Sequence, residues 1–194
     1  MEKLVYLMGR KDGLTRDEFF EHYIRVHSPL GLRICVLMAG YTVNLTDDFD
    51  PGPEGPDAVT EVWTPDADGF MDPARAFRSE QEMNEIVADD RSFIGTNHSW
   101  VVEEKLVLGD WPSGELRTRT PGVKRVSLHT GDSRLPSAPG VTRVVEQRVT
   151  KALAADAPAV DVFVSEWAAS ADAFAALTVP AYVVSEYRQR NPVR

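Results

Sequence analysis

Cysteine is nearly absent from this sequence: Cys35 is its only one in 194 residues. A lone thiol cannot close an internal disulfide, and without CxxC or Cys/His spacing it points to a reducing, cytoplasmic setting. Long apolar runs are missing too. Met1-Glu2-Lys3 is followed by only Leu4 to Met8, too short for a signal-peptide core and far short of a membrane span. Basic residues are outnumbered, 21 against 30 acidic, for a formal net charge of -9, which argues against a nucleic-acid partner. His22 and His27 are five apart, there is no HExxH, and the acidic stretch near Asp47 lacks EF-hand spacing, so no bound metal is expected. GxGxxG, Walker and GxSxG motifs are likewise missing, which removes the usual support for nucleotide hydrolysis and serine-esterase chemistry.

What the chain does contain is two similar runs of elements. Leu4-Val5-Tyr6-Leu7-Met8 is apolar at every position, as in a strand covered on both faces. Thr15-Arg16-Asp17-Glu18 has the form of a capping box and predicts a helix start. In that helix Phe19, Phe20, Tyr23, Ile24, Val26 and His27 share one stripe, and Pro29 biases Ser28 away from helical dihedrals, so the helix is expected to stop near His27. An apolar stretch from Arg33 to Asn44 leads into a Pro/Gly-rich loop from Asp47 to Pro56. Ala58–Trp63 reads as a strand, Asp72–Val87 as a helix and Trp100–Val107 as a strand. This β-α-β-β-α-β order is the ferredoxin-like unit. Residues 109–122 read as a linker. A compressed copy then follows: strand Val123–His129, helix Val141–Ala155, strand Val160–Trp167, short helix Asp172–Leu177 and strand Ala181–Tyr187. Local matches support the repeat: Thr60-Glu61-Val62-Trp63 against Ser165-Glu166-Trp167, and Trp100 to Glu104 against Tyr182 to Glu186. The expected architecture is α+β, two ferredoxin-like halves in tandem, at residues 1–108 and 123–194. Together they would form a pseudo-dimeric α/β barrel, as a monomer or a homodimer.

The segment from Arg10 to Phe19, followed by Val26-His27-Ser28-Pro29-Leu30, Glu61-Val62-Trp63 and Asp90-Arg91-Ser92-Phe93-Ile94, resembles the EthD family signature. The resemblance covers roughly the first half of the chain. It implies a barrel with a pocket between sheet and helices, and chemistry without cofactors on hydrophobic aromatic or polyketide-like molecules of secondary metabolism: cyclisation, dehydration, decarboxylation or oxygenation.

His27, on the apolar stripe and with a pKa near working pH, is the first candidate for general acid or base. The alternative is a histidine that bonds the end of its helix. Tyr41 could donate a hydrogen bond to an enolate oxygen. Glu61, sharing a strand face with Val59 and Trp63, is read either as an inward-facing carboxyl of raised pKa or, the reading favoured, as half of a structural ion pair with Arg33 or a neighbouring strand. His98, just before a strand, and His129, ending another, are candidates for a proton relay. Phe19, Tyr23, Trp63 and Trp100 are expected to shape a substrate pocket, although large aromatics also serve as core. The leading expectation is a cofactor-independent lyase, cyclase or dehydratase. A cofactorless monooxygenase and a non-catalytic accessory binding protein are the alternatives.

Overall fold

The structure, a computed structural model, describes residues 1–46, 55–111, 115–131, 138–174 and 181–192. Its centre is a closed barrel of eight strands, all paired antiparallel: β1 Glu2–Arg10, β2 Gly40–Leu45, β3 Ala58–Thr64, β4 Ile94–Leu108, β5 Val123–His129, β6 Val141–Ala152, β7 Val162–Ala168 and β8 Ala181–Arg190. Around the barrel the order is β1-β3-β2-β8-β5-β7-β6-β4. Closure leaves no free sheet edge.

The expected pair of ferredoxin-like halves is corrected by this topology. Val141–Ala152, read as a helix, is strand β6. Its valines and threonines are β-branched and fit a pleated surface better than a helix turn. Among the described residues, the second four strands carry only a 3₁₀ turn, Ala171–Phe174. The rest of the helix expected to reach Leu177 lies outside the described residues, as does most of the loop from Asp47. The protein is therefore a mixed α+β closed barrel with its helices on one side.

Those helices are α1 Arg16–His22, a π-helical turn Tyr23–His27, α2 Ser28–Ile34, α3 Ala67–Met71, α4 Pro73–Ala76 and α5 Glu80–Phe93. The Thr15/Glu18 capping box starts α1. Pro29 does not stop the chain's helical course: it sits in the first turn of α2, where its missing N–H has no intrahelical partner to lose.

β1 shows why its sequence is apolar throughout. Leu4, Tyr6 and Met8 pack with Phe19, Tyr23 and Phe93 under the helices. Val5 and Leu7 point the other way, into a barrel core that contains Val59, Trp100, Phe163 and Val184. Each face is buried, one by helices and one by the strands opposite.

One end of the barrel interior is charged rather than apolar. Lys3 on β1 bonds Glu61 at 2.8 Å and Glu104 at 3.1 Å, and its ammonium lies 4.3 Å from the centre of the Trp63 ring. The Trp63 indole N–H donates to Glu104 at 2.7 Å. Across the barrel Lys124 on β5 repeats the arrangement with Trp167, at 4.7 Å, and Glu186, at 3.5 Å, and the Trp167 indole donates to Glu186 at 3.2 Å. Glu61 joins the two sets, because Lys124 also reaches it, at 2.5 Å.

Candidate active site

On the outer side of β1, β2 and β3, beneath the helices, lies a cavity of about 260 Å³. Its wall is sulfur-rich: Met8, Met38, Met71 and Met83, four of the five methionines, and Cys35 all line it. Unbranched thioethers give such a wall an adaptable surface. Tyr6, Tyr23, Tyr41, Phe70 and Phe77 supply flat faces, and the polar lining includes His27, Asp90, Thr60 and Asn97.

The π-helical turn places the first of these polar groups. Its i to i+5 bond, from the Ser28 N–H to the Tyr23 carbonyl, widens the helix so that Tyr23 and His27 both reach the cavity, their rings edge to face at 5.1 Å. π-helical turns of this kind recur at functional sites. Behind the imidazole, His27 Nδ1 lies 2.8 Å from Asp89 Oδ2 and 3.5 Å from Asp90 Oδ1. Asp89 also bonds His22 Nε2, at 2.7 Å. Burial would raise the Asp89 carboxyl, but hydrogen bonds from His27 and His22 hold it below its usual range. Asp89 is thus an anion that keeps the proton of His27 on Nδ1. Nε2 of His27 has no hydrogen-bond partner among the described residues and is the nitrogen left for a ligand.

Asp90 behaves in the opposite way. Burial first, and then the neighbouring Asp89 charge, push its carboxyl up, against the pull of His27. Two adjacent carboxyls with displaced titrations and one imidazole are an arrangement suited to moving protons. The hydroxyls opposite remain protonated: burial, chiefly, pushes Tyr6, Tyr23 and Tyr41 well above the ordinary phenol range. Tyr23 shares a 2.5 Å hydrogen bond with Thr60, and Tyr41 accepts one from Ser28 at 3.5 Å, which leaves the Tyr41 proton available to donate. Among the described residues, His27, Asp89 and Asp90 are also those that could hold a metal ion, their ligand atoms lying within 4.8 Å of one another. The 2.8 Å bond between His27 and Asp89 satisfies both without one.

Of the residues singled out from the sequence, His27, Tyr41 and Tyr23 come together at this cavity. Phe19 is fully buried behind it, edge to face with Tyr23 and tilted against Phe93. The others lie elsewhere. Glu61 and Trp63 belong to the charged end of the barrel interior, and the lysines hold the Glu61 carboxyl well below its usual range against the opposing effect of burial. Of the two readings of Glu61, the geometry is that of an ion pair with strand lysines; Arg33, the other partner considered, pairs with Glu85 instead. Trp100 packs against Phe163 in the barrel core. His98 pairs across from Leu7 on β1, not at the cavity. His129 bonds Ser127 at 2.9 Å on the second group of strands. Asp89 and Asp90 carried no assigned role in the sequence reading. Their signal was present in the Asp-Arg-Ser-Phe match, and a carboxylate pair near the end of a helix facing His27 could have been inferred from it.

No curated protein matches this chain. Among solved structures, it is similar to an anthrone oxidase-like protein, at 10% identity and a TM-score of 0.52, with 96% of this chain and 90% of that one covered. A monooxygenase candidate from Lactobacillus acidophilus NCFM aligns at 9% identity and a TM-score of 0.46 over 99% of this chain and 97% of that one. At 10% identity the likeness to the anthrone oxidase-like protein is one of fold. The family model for the EthD domain matches residues 11–97, the stretch that supplies α1 to α5, the π-helical turn, the His27/Asp89/Asp90 cluster and most of the cavity wall.

Proposed function

We propose that the protein is an enzyme that binds a hydrophobic, carbonyl- or phenol-bearing molecule in the helix-side cavity and acts on it by proton transfer at His27. The observation that carries this reading is the His27 imidazole, held by Asp89 at 2.8 Å on the wall of an apolar cavity that also presents Tyr41. Nε2 takes a proton from carbon next to a carbonyl, Asp89 stabilises the imidazolium that forms, and the Tyr41 hydroxyl donates to the developing enolate oxygen. Returning the proton to a departing hydroxyl completes a dehydration. Returning it after ring closure completes a cyclisation. A lyase, cyclase or dehydratase acting without a cofactor is the leading form of this chemistry.

A second reading uses the same first step: a deprotonated phenolic ring, rich in electrons, reduces oxygen directly, as in a cofactorless monooxygenase. It is kept because the barrel's structural relative is described as anthrone oxidase-like, a name that belongs to that protein.

The test is a metabolite profile of the producing organism with the gene deleted, then restored as wild type, His27→Ala or Tyr41→Phe. Under the leading reading, deletion accumulates an intermediate that differs from the product by water, or by a ring closure without change of mass, and His27→Ala fails to restore it. An added oxygen atom, with oxygen consumption by the purified protein, selects the second reading. A profile unchanged by deletion, or full restoration by both variants, rejects catalysis at this site.

A further inference from the structure

Among the described residues, neither lysine nor arginine lines the cavity. Arg190 approaches from behind, but its guanidinium is taken by the Met38 carbonyl, at 2.5 Å, and it does not form the wall. Beside the tyrosines and Cys35, the ionisable groups that line the space are His27 and Asp90. His27 is the closer partner of Asp89, at 2.8 Å against 3.5 Å to Asp90, so Asp90 is the less compensated of the two carboxyls. The cavity places Asp90 on the same wall as His27, facing Tyr6, Tyr23 and Tyr41; beside burial, the larger cause, its charge opposes ionisation of all three, and Asp89 adds to it at Tyr41. These tyrosines come from β1, the π-helical turn and β2. Three hydroxyls on three elements therefore face the same carboxyl-bearing side of the cavity, and a ligand group seated next to Asp90 would face it at closest range. The Asp90 side chain is 44% exposed, so solvent screens part of this repulsion and it falls mainly on a ligand group next to the carboxylate.

We propose that the cavity selects its ligand by charge, with Asp90 as the discriminating residue: ring systems that are neutral or cationic at the end meeting Asp90 are admitted, and those anionic there are rejected. This deepens the proposed function and rests on the cavity being the ligand site. It narrows the substrate class to neutral ketones, phenols and alcohols or to amines, and it excludes carboxylated, phosphorylated and sulfonated frames of the same size.

The experiment is calorimetric titration with three probes that share one ring frame: 2-naphthalenemethanol, 2-naphthylmethylammonium and 2-naphthoate, at neutral pH. On the wild type, 2-naphthoate should bind about tenfold or more weaker than the alcohol, as expected for like charges brought together, and the ammonium at least as well as the alcohol. In Asp90→Asn the alcohol and the carboxylate should converge, while Asp90→Glu keeps the order. Gly31→Leu gives the location. A Cβ at Gly31 meets only Met38 Cε, at 3.6 Å, so the backbone tolerates a side chain there that fills the cavity, and binding of every probe should be lost. Circular dichroism and melting establish that each variant is folded.

Equal affinities in the wild type, a preference for 2-naphthoate, or an unchanged order in Asp90→Asn would overturn charge selection and leave the cavity as the ligand site. Failure of all three probes to bind, or binding unaffected by Gly31→Leu, would overturn the cavity reading and charge selection with it.

Discussion

The two groups of four strands present matching residues to the inside of the barrel and different ones to its outside. Inside, Lys3, Trp63 and Glu104 on β1, β3 and β4 correspond to Lys124, Trp167 and Glu186 on β5, β7 and β8, and both sets bring an ammonium over an indole and an indole N–H to a carboxylate. Outside, the first group carries Leu4, Tyr6 and Met8 beneath helices and a cavity. At the matching positions the second carries Arg125, Ser127 and His129, with Arg125 paired to Glu166. Interior positions must fit one shared space, so both groups are constrained to the same solution. Outer faces are independent of each other, and among the described residues the His27/Asp89/Asp90 cluster sits on the helix-covered one.

Glu61 is where the interior match breaks, because its counterpart on β7 is Ser165, which Gln147 bonds at 2.9 Å while also bonding Glu61 at 3.0 Å. One carboxylate serves two buried lysines. We expect Glu61→Gln to have the largest effect of any single change, about 3–5 kcal/mol of lost stability by denaturant unfolding, since Lys3 and Lys124 would be left buried with one partner fewer. The acid limb follows with a defined sign. The Glu61 carboxyl titrates lower folded than unfolded, so its contribution is complete above an ordinary glutamate pKa of about 4.3 and is lost as pH falls toward the folded value. Glu61→Gln should flatten that limb. A variant as stable as the wild type would mean that the two groups of strands are not joined through this residue.

His27→Ala addresses the outer difference. We expect turnover to fall by about a hundredfold or more, the range of a lost general base, with melting nearly unchanged because the imidazole holds no strand. The readout that separates chemistry from packing is kcat against KM: kcat should fall and KM stay. If His129→Ala, on the second group, reduced kcat as much, the assignment of chemistry to the helix-covered side would be wrong.

Much of this arrangement was legible where a local rule and its tertiary partner agreed. Leu4–Met8 reads as buried on both faces because both covers exist, and Thr15 and Glu18 cap α1 by contacts within four residues. His27 stood out because the EthD pattern and the apolar stripe of its helix both contain it, and Tyr41 because it lies in the stretch expected to become the second strand. Other features depend on contacts that no local pattern encodes. The change from α1 to a π-helical turn is set by packing of Tyr23 and His27 against Phe93, seventy residues away in one case and sixty-six in the other. β6 was misread because Val144, Val145 and Gln147 are buried, which breaks the simple alternation of a half-exposed strand and imitates a helical stripe. Glu61 is neutralised by lysines 58 and 63 positions distant, a partnership fixed by barrel closure.

Smaller effects sharpen the interior comparison. Trp63→Phe removes a 2.7 Å bond to Glu104 and should cost about 1.5–3 kcal/mol, as for a hydrogen bond to a charged group. Trp167→Phe removes the looser 3.2 Å bond to Glu186 and should cost less. Unfolding of the two variants side by side measures how equal the two sets are. A reversed order would mean that the geometry of the second set understates its strength.

Thr15→Ala carries the smallest effect and the most local one. The Thr15 hydroxyl accepts the Glu18 N–H at 3.2 Å, and the Thr15 N–H donates to Glu18 at 2.8 Å. Losing the cap should cost about 1 kcal/mol, or about 2–4 °C in Tm for a chain of this length. Its distribution matters more than its size. α1 leads directly into the turn that carries Tyr23 and His27, so hydrogen exchange should quicken over Arg16–His27 and leave β5 and β7 unchanged, because the barrel closes through strands that do not depend on the helix. Exchange that quickened equally on both sides would show that helices and barrel open as one unit, and the independence of the two outer faces would then not hold.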